Sequence, residues 1–453
     1  MTIQSQPPSP KSPVVVIGGG IAGLTAAALL GRAGIPTVVL EKSSAPGGRA
    51  ATRDRGGFLF NLGPHALYRA GILKQTLGAL GITVTGGIPT GNGGHAILAG
   101  RRHTLPAGLV SLVTTGLLGL SGKFELARFQ TTLAKIETSA IQNQTLSSWL
   151  DSNLADPIVR QMVRMLVRVT TFTNDPDRQS AGAAIDQLQL GLKDNVLYVD
   201  GGWQTIVNGL QRAAIDGGAR IICHSHAVSL ERSNPRTIDG IRLADGSVVR
   251  ASAVVLAGSP SDVDCLAGTS FASQLAPPVR VATLDVALRT LPNPQATVAF
   301  GVDVPLYFSV HSTIAKLAPD AGALIHASKY LAPDEETGSA VRQELESLME
   351  MMQPGWRAYV AHEQFVPSLT VTHAQLSAAV GGTRGRPPSR LPTFENVCIA
   401  GDWVGPRGQL SDAAAASAVD ATTDTRACMT SERHHNPTLV VQPYPVDREV
   451  AAS

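Results

Sequence analysis

The sequence predicts an α/β protein: a doubly wound parallel sheet with an α+β block inserted into it. Three observations carry that prediction. The apolar run Val14-Val15-Val16-Ile17 leads into a glycine turn, an Ala/Leu-rich helical stretch to about Arg32, and a second apolar run over Pro36–Leu40. Together these make a βαβ unit of about 30 residues. Two more continuous apolar runs of the buried-strand type, Ala253–Ala257 and Val397–Ala400, return far downstream. The long stretches between them follow other periods.

Taken in order, residues 1–13 are polar, Pro/Ser-rich and without an apolar core, so they are expected to be disordered and not a secretory signal. Lys123–Lys135, Pro157–Val169 and Gly202–Asp216 read as helices. Arg220–Cys223 and Ala227–Leu230 read as strands, and Ile241–Leu243 with Val248-Val249 as a hairpin around Asp245-Gly246. Val281–Leu288 alternates and suggests a sheet of the second domain, and Ser411–Ala421 is an alanine-rich helix. The tail 426–453 has no periodicity and is expected to be disordered. The implied division is a nucleotide domain from 14–84, 200–262 and 391–425, and a substrate domain from 85–199 and 263–390.

Bulk numbers narrow the function. At 453 residues the chain exceeds one small core. Its 37 Lys+Arg against 35 Asp+Glu give no electrostatic case for nucleic acid. No Lys/Arg-rich block stands out, so strong binding to acidic lipid is not signalled. Four well-separated cysteines without a CxxC pair point to a reduced, cytoplasmic protein with neither a zinc site nor a disulfide framework. The longest apolar stretch, Ala107–Leu120, is too short to span a bilayer, at about 14 residues. Leu105–Leu120 fits a channel wall, a membrane-touching helix or a buried core helix. Peripheral membrane contact therefore stays beside the cytoplasmic expectation.

Gly18-Gly19-Gly20-Ile21-Ala22-Gly23 matches G-x-G-x-x-G directly after a strand and at the start of a helix, the context in which the pattern carries meaning. Gly18 permits the tight turn, Gly20 a close approach to a pyrophosphate, and Gly23 close helix–strand packing, with the phosphate charge resting on the helix N-terminus around Ile21 and Ala22. Glu41 closes the second strand about 18 residues later, where its carboxylate would accept from a ribose 2′-OH and repel a 2′-phosphate. FAD or NAD is thereby favoured over NADP. No second fingerprint follows a strand, so a dedicated nicotinamide domain is not expected.

From Glu41 onward the chain resembles a superfamily of FAD proteins that includes phytoene desaturases, monoamine oxidases and protoporphyrinogen oxidase. Gly47-Gly48-Arg49 is similar to its second glycine motif, with Arg49 facing the pyrophosphate. Phe60-Asn61-Leu62-Gly63-Pro64-His65 resembles its F-D-x-G-P-H segment beside the isoalloxazine ring, with Asn61 in place of the usual acid. Asp200–Trp203 is similar to the entrance of the next nucleotide-domain helix. Val228 matches the position whose backbone meets adenine. Ala400-Gly401-Asp402-Trp403, followed by Leu410–Ala414, resembles the closing motif, in which Asp402 meets the ribityl hydroxyls and the helix start near Asp412 and Ala413 faces the flavin. The resemblance spans about residues 14–425 and lies nearest the bacterial phytoene-dehydrogenase-related branch.

It implies a glutathione-reductase-like, Rossmann-type FAD-binding domain with an inserted α+β substrate domain, and FAD held non-covalently. The cofactor residues it implies are Gly18, Gly20, Ile21, Ala22, Gly23, Glu41, Lys42, Gly48, Arg49, Gly63, Pro64, His65, Val228, Gly401, Asp402, Leu410 and Ala413. Catalytic residues are not assigned. The implied activity is hydride removal from a small apolar substrate of isoprenoid or polyene type, with oxygen or a quinone as electron acceptor. Two other readings stay open. Amine oxidation would need an aromatic wall, for which Trp403 is the candidate, and a lysine, for which Lys329 is the candidate. A non-catalytic prenyl- or lipid-binding escort is compatible with the fold, and it ranks lower because such relatives generally lose the flavin motifs that this sequence retains.

Overall fold

The computed structural model describes residues 12–91 and 93–434. Most of the N-terminal segment and the tail beyond His434, both expected to be disordered, lie outside the described residues. The expectation for 426–434 is corrected: the closing helix runs Leu410–His434, well past Ala421. Its alanine-rich face, including Ala414, Ala418 and Ala421, packs on the sheet and carries the helix onward.

Strands β1 (Val14–Ile17), β2 (Thr37–Leu40), β3 (Arg220–Ile222), β4 (Ala253–Leu256) and β5 (Val397–Ile399) form one all-parallel sheet in the order β3-β2-β1-β4-β5. The central strands are buried on both faces, which is why they read as unbroken apolar runs. Helix α1 (Ile21–Arg32) and the closing helix cover one face. The three-stranded antiparallel sheet of Ala227–Asn234, Thr237–Leu243 and Val248–Arg250 packs toward the other. Strand order reverses at β1, with β2 on one side and β4 on the other. A crevice therefore opens at the carboxyl ends of these strands.

The second sheet has seven strands and draws on both inserted segments. Its order runs Val360–Thr372, Val279–Leu288, Ala323–Tyr330, Leu306–Val310, Val298–Gly301, His95–Leu98 and Arg101–Thr104. Helix Ser339–Met352 packs against it through Val341, Leu345 and Met349. A separate helical layer contains Leu109–Thr114, Leu120–Thr132, Leu146–Asn153, Pro157–Thr171 and Ala181–Asp194, with Trp149, Met162 and Phe129 among its buried side chains. Residues 105–120 are neither channel wall nor wholly core. Leu112, Leu117 and Leu118 point inward, whereas Leu109, Val110 and Leu120 stand in solvent.

Candidate functional site

The crevice deepens into a cavity of about 650 Å³ between the two sheets. Its floor is the turn after β1. Gly18 has φ +107 and lies against the carbonyl of Ala257, a place and a conformation that exclude a side chain. Gly20 faces open space, so the first turn of α1 presents bare backbone to the cavity. Gly23 does not line the cavity. A Cβ there would overlap the Gly18 carbonyl oxygen, so its role is the packing of α1 on β1.

Glu41 is buried at the end of β2. One carboxylate oxygen accepts from the Gly19 N–H at 2.7 Å and the other from the Ser43 N–H at 2.8 Å. The acid therefore fastens the glycine turn to the second strand while lining the same wall as Ser225, His226, Val228 and Lys42. Lys42 pairs with Asp262 at 3.2 Å, both largely exposed at the rim.

Farther along, Gly48 and Arg49 enter from the segment after β2, and Gly401 and Asp402 from the end of β5. Arg49 Nη1 lies 2.8 Å from Asp402 Oδ2 and donates to the Val371 carbonyl at 2.6 Å. His373 Nδ1 lies 2.9 Å from Asp402 Oδ1. Burial pushes the Asp402 carboxyl up, but the Arg49 charge and the His373 hydrogen bond outweigh it. They hold the group well below the usual carboxylate range. Arg386, itself buried, donates to the carbonyls of Asp402 and Gly408 at 3.0 and 2.7 Å and so fixes the closing loop.

At the inner end stand Pro64, His65, Phe172, Leu410, Ser411 and Ala414. His65 has Gly63 O and Arg49 O within 3.1 and 3.2 Å of its two ring nitrogens and meets Trp203 edge-on. Burial outweighs these carbonyls and lowers its pKa, favouring a neutral ring. Gly63 sits behind this wall and donates its N–H to Asp285 Oδ2 at 3.2 Å. Asp285 is fully buried and also takes His326 Nδ1 at 2.7 Å and the Thr283 hydroxyl at 2.8 Å. Asn61, standing where the family pattern has an acid, accepts from the Trp203 N–H and the Thr52 hydroxyl. It joins two loops without lining the cavity.

Fourteen of the seventeen residues expected at the cofactor thus line one cavity, and Gly23, Gly63 and Ala413 stand directly behind it. Ala413 is fully buried in the closing helix, whose cavity face is Ser411 and Ala414. Two expectations for amine chemistry are corrected. Trp403 is fully buried away from the cavity, packed on Phe271 and donating to the Gly258 carbonyl. Lys329 is held by Glu344 and Glu335 at 2.6 and 2.9 Å, and it is not part of the lining. Sequence reasoning missed His373, Asp285, His326 and Arg386. No local motif marks them, because strand pairing and loop closure bring them in from distant segments.

A parallel sheet with a glycine turn at its reversal point and an elongated cavity along the strand ends defines a dinucleotide-binding protein. The chain belongs to the family described as flavin containing amine oxidoreductase, whose model matches residues 21–300. The donor set fits that family's flavin: bare backbone at a helix N-terminus, a guanidinium, and two carboxylates, Glu41 at one end of the cavity and Asp402 at its middle. Phytoene desaturase from Cercospora nicotianae is 38% identical over 79 residues, 17% of this chain and 13% of that protein. The 4,4'-diaponeurosporene oxygenase of Staphylococcus aureus is 23% identical over 279 residues, covering 53% of this chain and 54% of that one. The chain thus spans about half or less of these two curated relatives. An oxidoreductase from Methanosarcina mazei shares the fold with a TM-score of 0.71, at 17% identity and over 90% of this chain and 99% of that one.

Proposed function

We propose that the protein is an FAD-dependent oxidoreductase that removes a hydride from an apolar, isoprenoid- or polyene-like substrate, with FAD held non-covalently. When bound, the flavin supplies the hydride acceptor. The chain's own residues bind, orient and exclude water. Glu41 and Val228 take the adenosine end, the start of α1 with Arg49 the pyrophosphate, and Asp402 the ribityl chain. Pro64, His65 and Leu410 border the ring.

The observation that carries the substrate reading is the make-up of the inner wall. Leu62, Phe172, Val281, Leu369 and Val371 line it. Among the described residues the lining holds one lysine, Lys42, at the opposite end. An apolar wall suits a hydrocarbon, whereas an amine needs polar partners on entering a site of this kind. Non-covalent attachment is supported by the cysteines. Cys398 is buried inside β5 with its thiol pushed up to about 12 by burial, and Cys428 is buried in the closing helix. Cys265 borders the cavity beside Asp262, at the adenosine end.

Anaerobic mixing is the test. A long polyene or terpenoid is expected to bleach the flavin absorbance of the holo-protein, and small primary amines are not. Rapid bleaching by a small amine, with none by polyenes, would reverse the assignment. The electron acceptor we assign is oxygen or a quinone, a reading supported by the single dinucleotide fingerprint, which gives no sign of a dedicated nicotinamide site in this sequence. Reoxidation by either one, and none by NADP, is the expected outcome.

A further inference from the structure

Helix Pro157–Thr171 runs up to the inner wall of the cavity, and the residue that ends it is Phe172. Its backbone is left-handed, with φ +61 and ψ 0, and its N–H donates to the Arg168 carbonyl at 2.8 Å. Glycine or asparagine is the usual occupant of such a helix end, because a Cβ is crowded in that conformation. A phenylalanine there carries a conformational cost, and strain of this kind persists where a side chain is needed for function. Its ring is not in the core. It packs at the edge of one and faces the cavity. Among the described residues, the other large apolar side chain in this backbone region is Leu410, at φ +53, and it lines the same end. The remaining non-glycines with positive φ are Ala99, Asn195, His224 and Ala321, and none of them lines the cavity.

Behind the ring lies a second aromatic layer. Tyr330 stands opposite Val281 in the antiparallel register, so both side chains are on one face of the seven-stranded sheet. Val281 lines the cavity, whereas Tyr330 is 2% exposed and does not. Phe172 covers it edge-on, with ring centroids 5.9 Å apart. Tyr330 belongs to the same cluster as Tyr307, against which Phe300 packs. The chain on either side of Phe172 is anchored. Arg168, one turn earlier, donates to the carbonyls of Gly301 and Val302 at 2.9 and 3.0 Å. The Asn174 amide donates to the Tyr330 carbonyl at 3.1 Å. The ring is therefore a fixed wall and not a hinged lid.

We propose that Phe172 is the specificity-determining residue of the substrate end: its ring is the stop that limits how long an apolar chain can lie in the cavity. The inference rests on the hydrocarbon reading of the inner wall. Leu62, Val281, Leu369 and Val371 form that wall around the ring. Aliphatic side chains make no hydrogen bond to an apolar chain, so length is selected by where the wall ends. A methylene more or less in a hydrophobic pocket is worth roughly 10- to 200-fold in discrimination. A fixed ring covering a tyrosine on the cavity side of the sheet sets that end point.

The test is binding without turnover. Oxidised holo-protein is titrated with a graded series of linear isoprenoid hydrocarbons in detergent micelles, read by the perturbation of the flavin absorbance. Wild type is expected to bind chains up to a limiting length and to lose affinity beyond it. Phe172→Ala should move that limit to longer chains, so that the first chain rejected by wild type binds at least about tenfold more tightly. Phe172→Leu should move it part of the way, and Phe172→Trp toward shorter chains. In thermal melts Phe172→Gly should unfold above Phe172→Ala, because both lose the ring and only alanine keeps a Cβ at φ +61. A glycine variant that melts below the alanine variant removes the strain on which the inference stands. Hydrocarbon binding with one length limit in wild type and variants overturns the proposal and leaves the substrate reading standing. No perturbation by any hydrocarbon in any of the proteins overturns both. If Phe172→Ala weakens every chain length by the same factor, the ring is a contact and not a stop, and the proposal is equally overturned.

Discussion

Arg49 and Asp402 hold each other across the middle of the cavity, and that pair sets what each should do when removed. Arg49 is partly exposed on the cavity side, while Asp402 is almost wholly buried. Arg49→Ala takes away a charge-assisted contact of ~1.5–3 kcal/mol to an anionic ligand. FAD affinity should fall by roughly ten- to a hundredfold, measured by titrating apo-protein. Asp402→Ala should lower it too, and Asp402→Asn less, because the amide oxygen still accepts from His373. Wild-type affinity in both alanine variants would remove these residues from the cofactor. Glu41→Ala frees the N–H groups of Gly19 and Ser43 and should cost ~1–3 kcal/mol, read as weaker FAD binding and a lower melting temperature together. These three residues were legible because each follows a motif that fixes its place. Asp285 and His326 were not. They are neighbours only through the antiparallel register Asp285↔His326, which no local pattern encodes. Asp285→Ala strands a buried imidazole and the Gly63 N–H, so it should destabilise the fold by on the order of 3 kcal/mol. A melting temperature equal to wild type would refute that role.

Helices and strands of the nucleotide domain were readable because burial on both faces leaves unbroken apolar runs and the glycine turn marks where strand gives way to helix. The stretch 105–120 was not. An apolar run records hydrophobicity, not which side faces solvent, and only the packed structure separates Leu112 from Val113. The closing helix adds a pH dependence. Asp412 in its first turn accepts the Leu73 N–H at 2.8 Å and so also caps helix Ile72–Ala79. Burial raises its carboxyl from 3.8 to about 6, with the N–H groups of Leu73 and Ile72 pulling the other way. Across that window the folded state keeps a proton that the unfolded chain has released. Its contribution to stability therefore falls as pH rises from 3.8 to about 6. Asp412→Asn keeps one acceptor for Leu73 and cannot ionise. Relative to wild type the variant should gain on the order of 2 kcal/mol between pH 4 and pH 7, an estimate from the cost per unit of pKa shift. Thermal melts at both pH values check this, and a constant difference between the proteins would refute it.

At the scale of the whole molecule, the chain leaves and re-enters the parallel sheet, so the cavity has walls from both halves. Gly20, Glu41 and Asp402 belong to the five-stranded side, while Val281, Leu369 and Val371 come from the seven-stranded sheet. A ligand lying along such a crevice touches both, and its binding energy is shared by both. Saturating FAD at a hundred times its dissociation constant should stabilise the folded state by about 2.7 kcal/mol. That gain should not be confined to the glycine turn. Amide hydrogen exchange is the measurement that separates the cases, because it reports the opening free energy of each element. On adding FAD to apo-protein, protection should rise in β1 and β4 and also in Val279–Leu288, which pairs with Val360–Thr372 behind the inner wall. Helix Ser339–Met352, on the far face of the seven-stranded sheet, should follow if the sheet opens as one unit with the cavity. If FAD protects β1 and β4 while Val279–Leu288 exchanges as before, the flavin end of the ligand does not reach the second sheet, and the apolar wall assigned to the substrate belongs to a cavity the cofactor never closes.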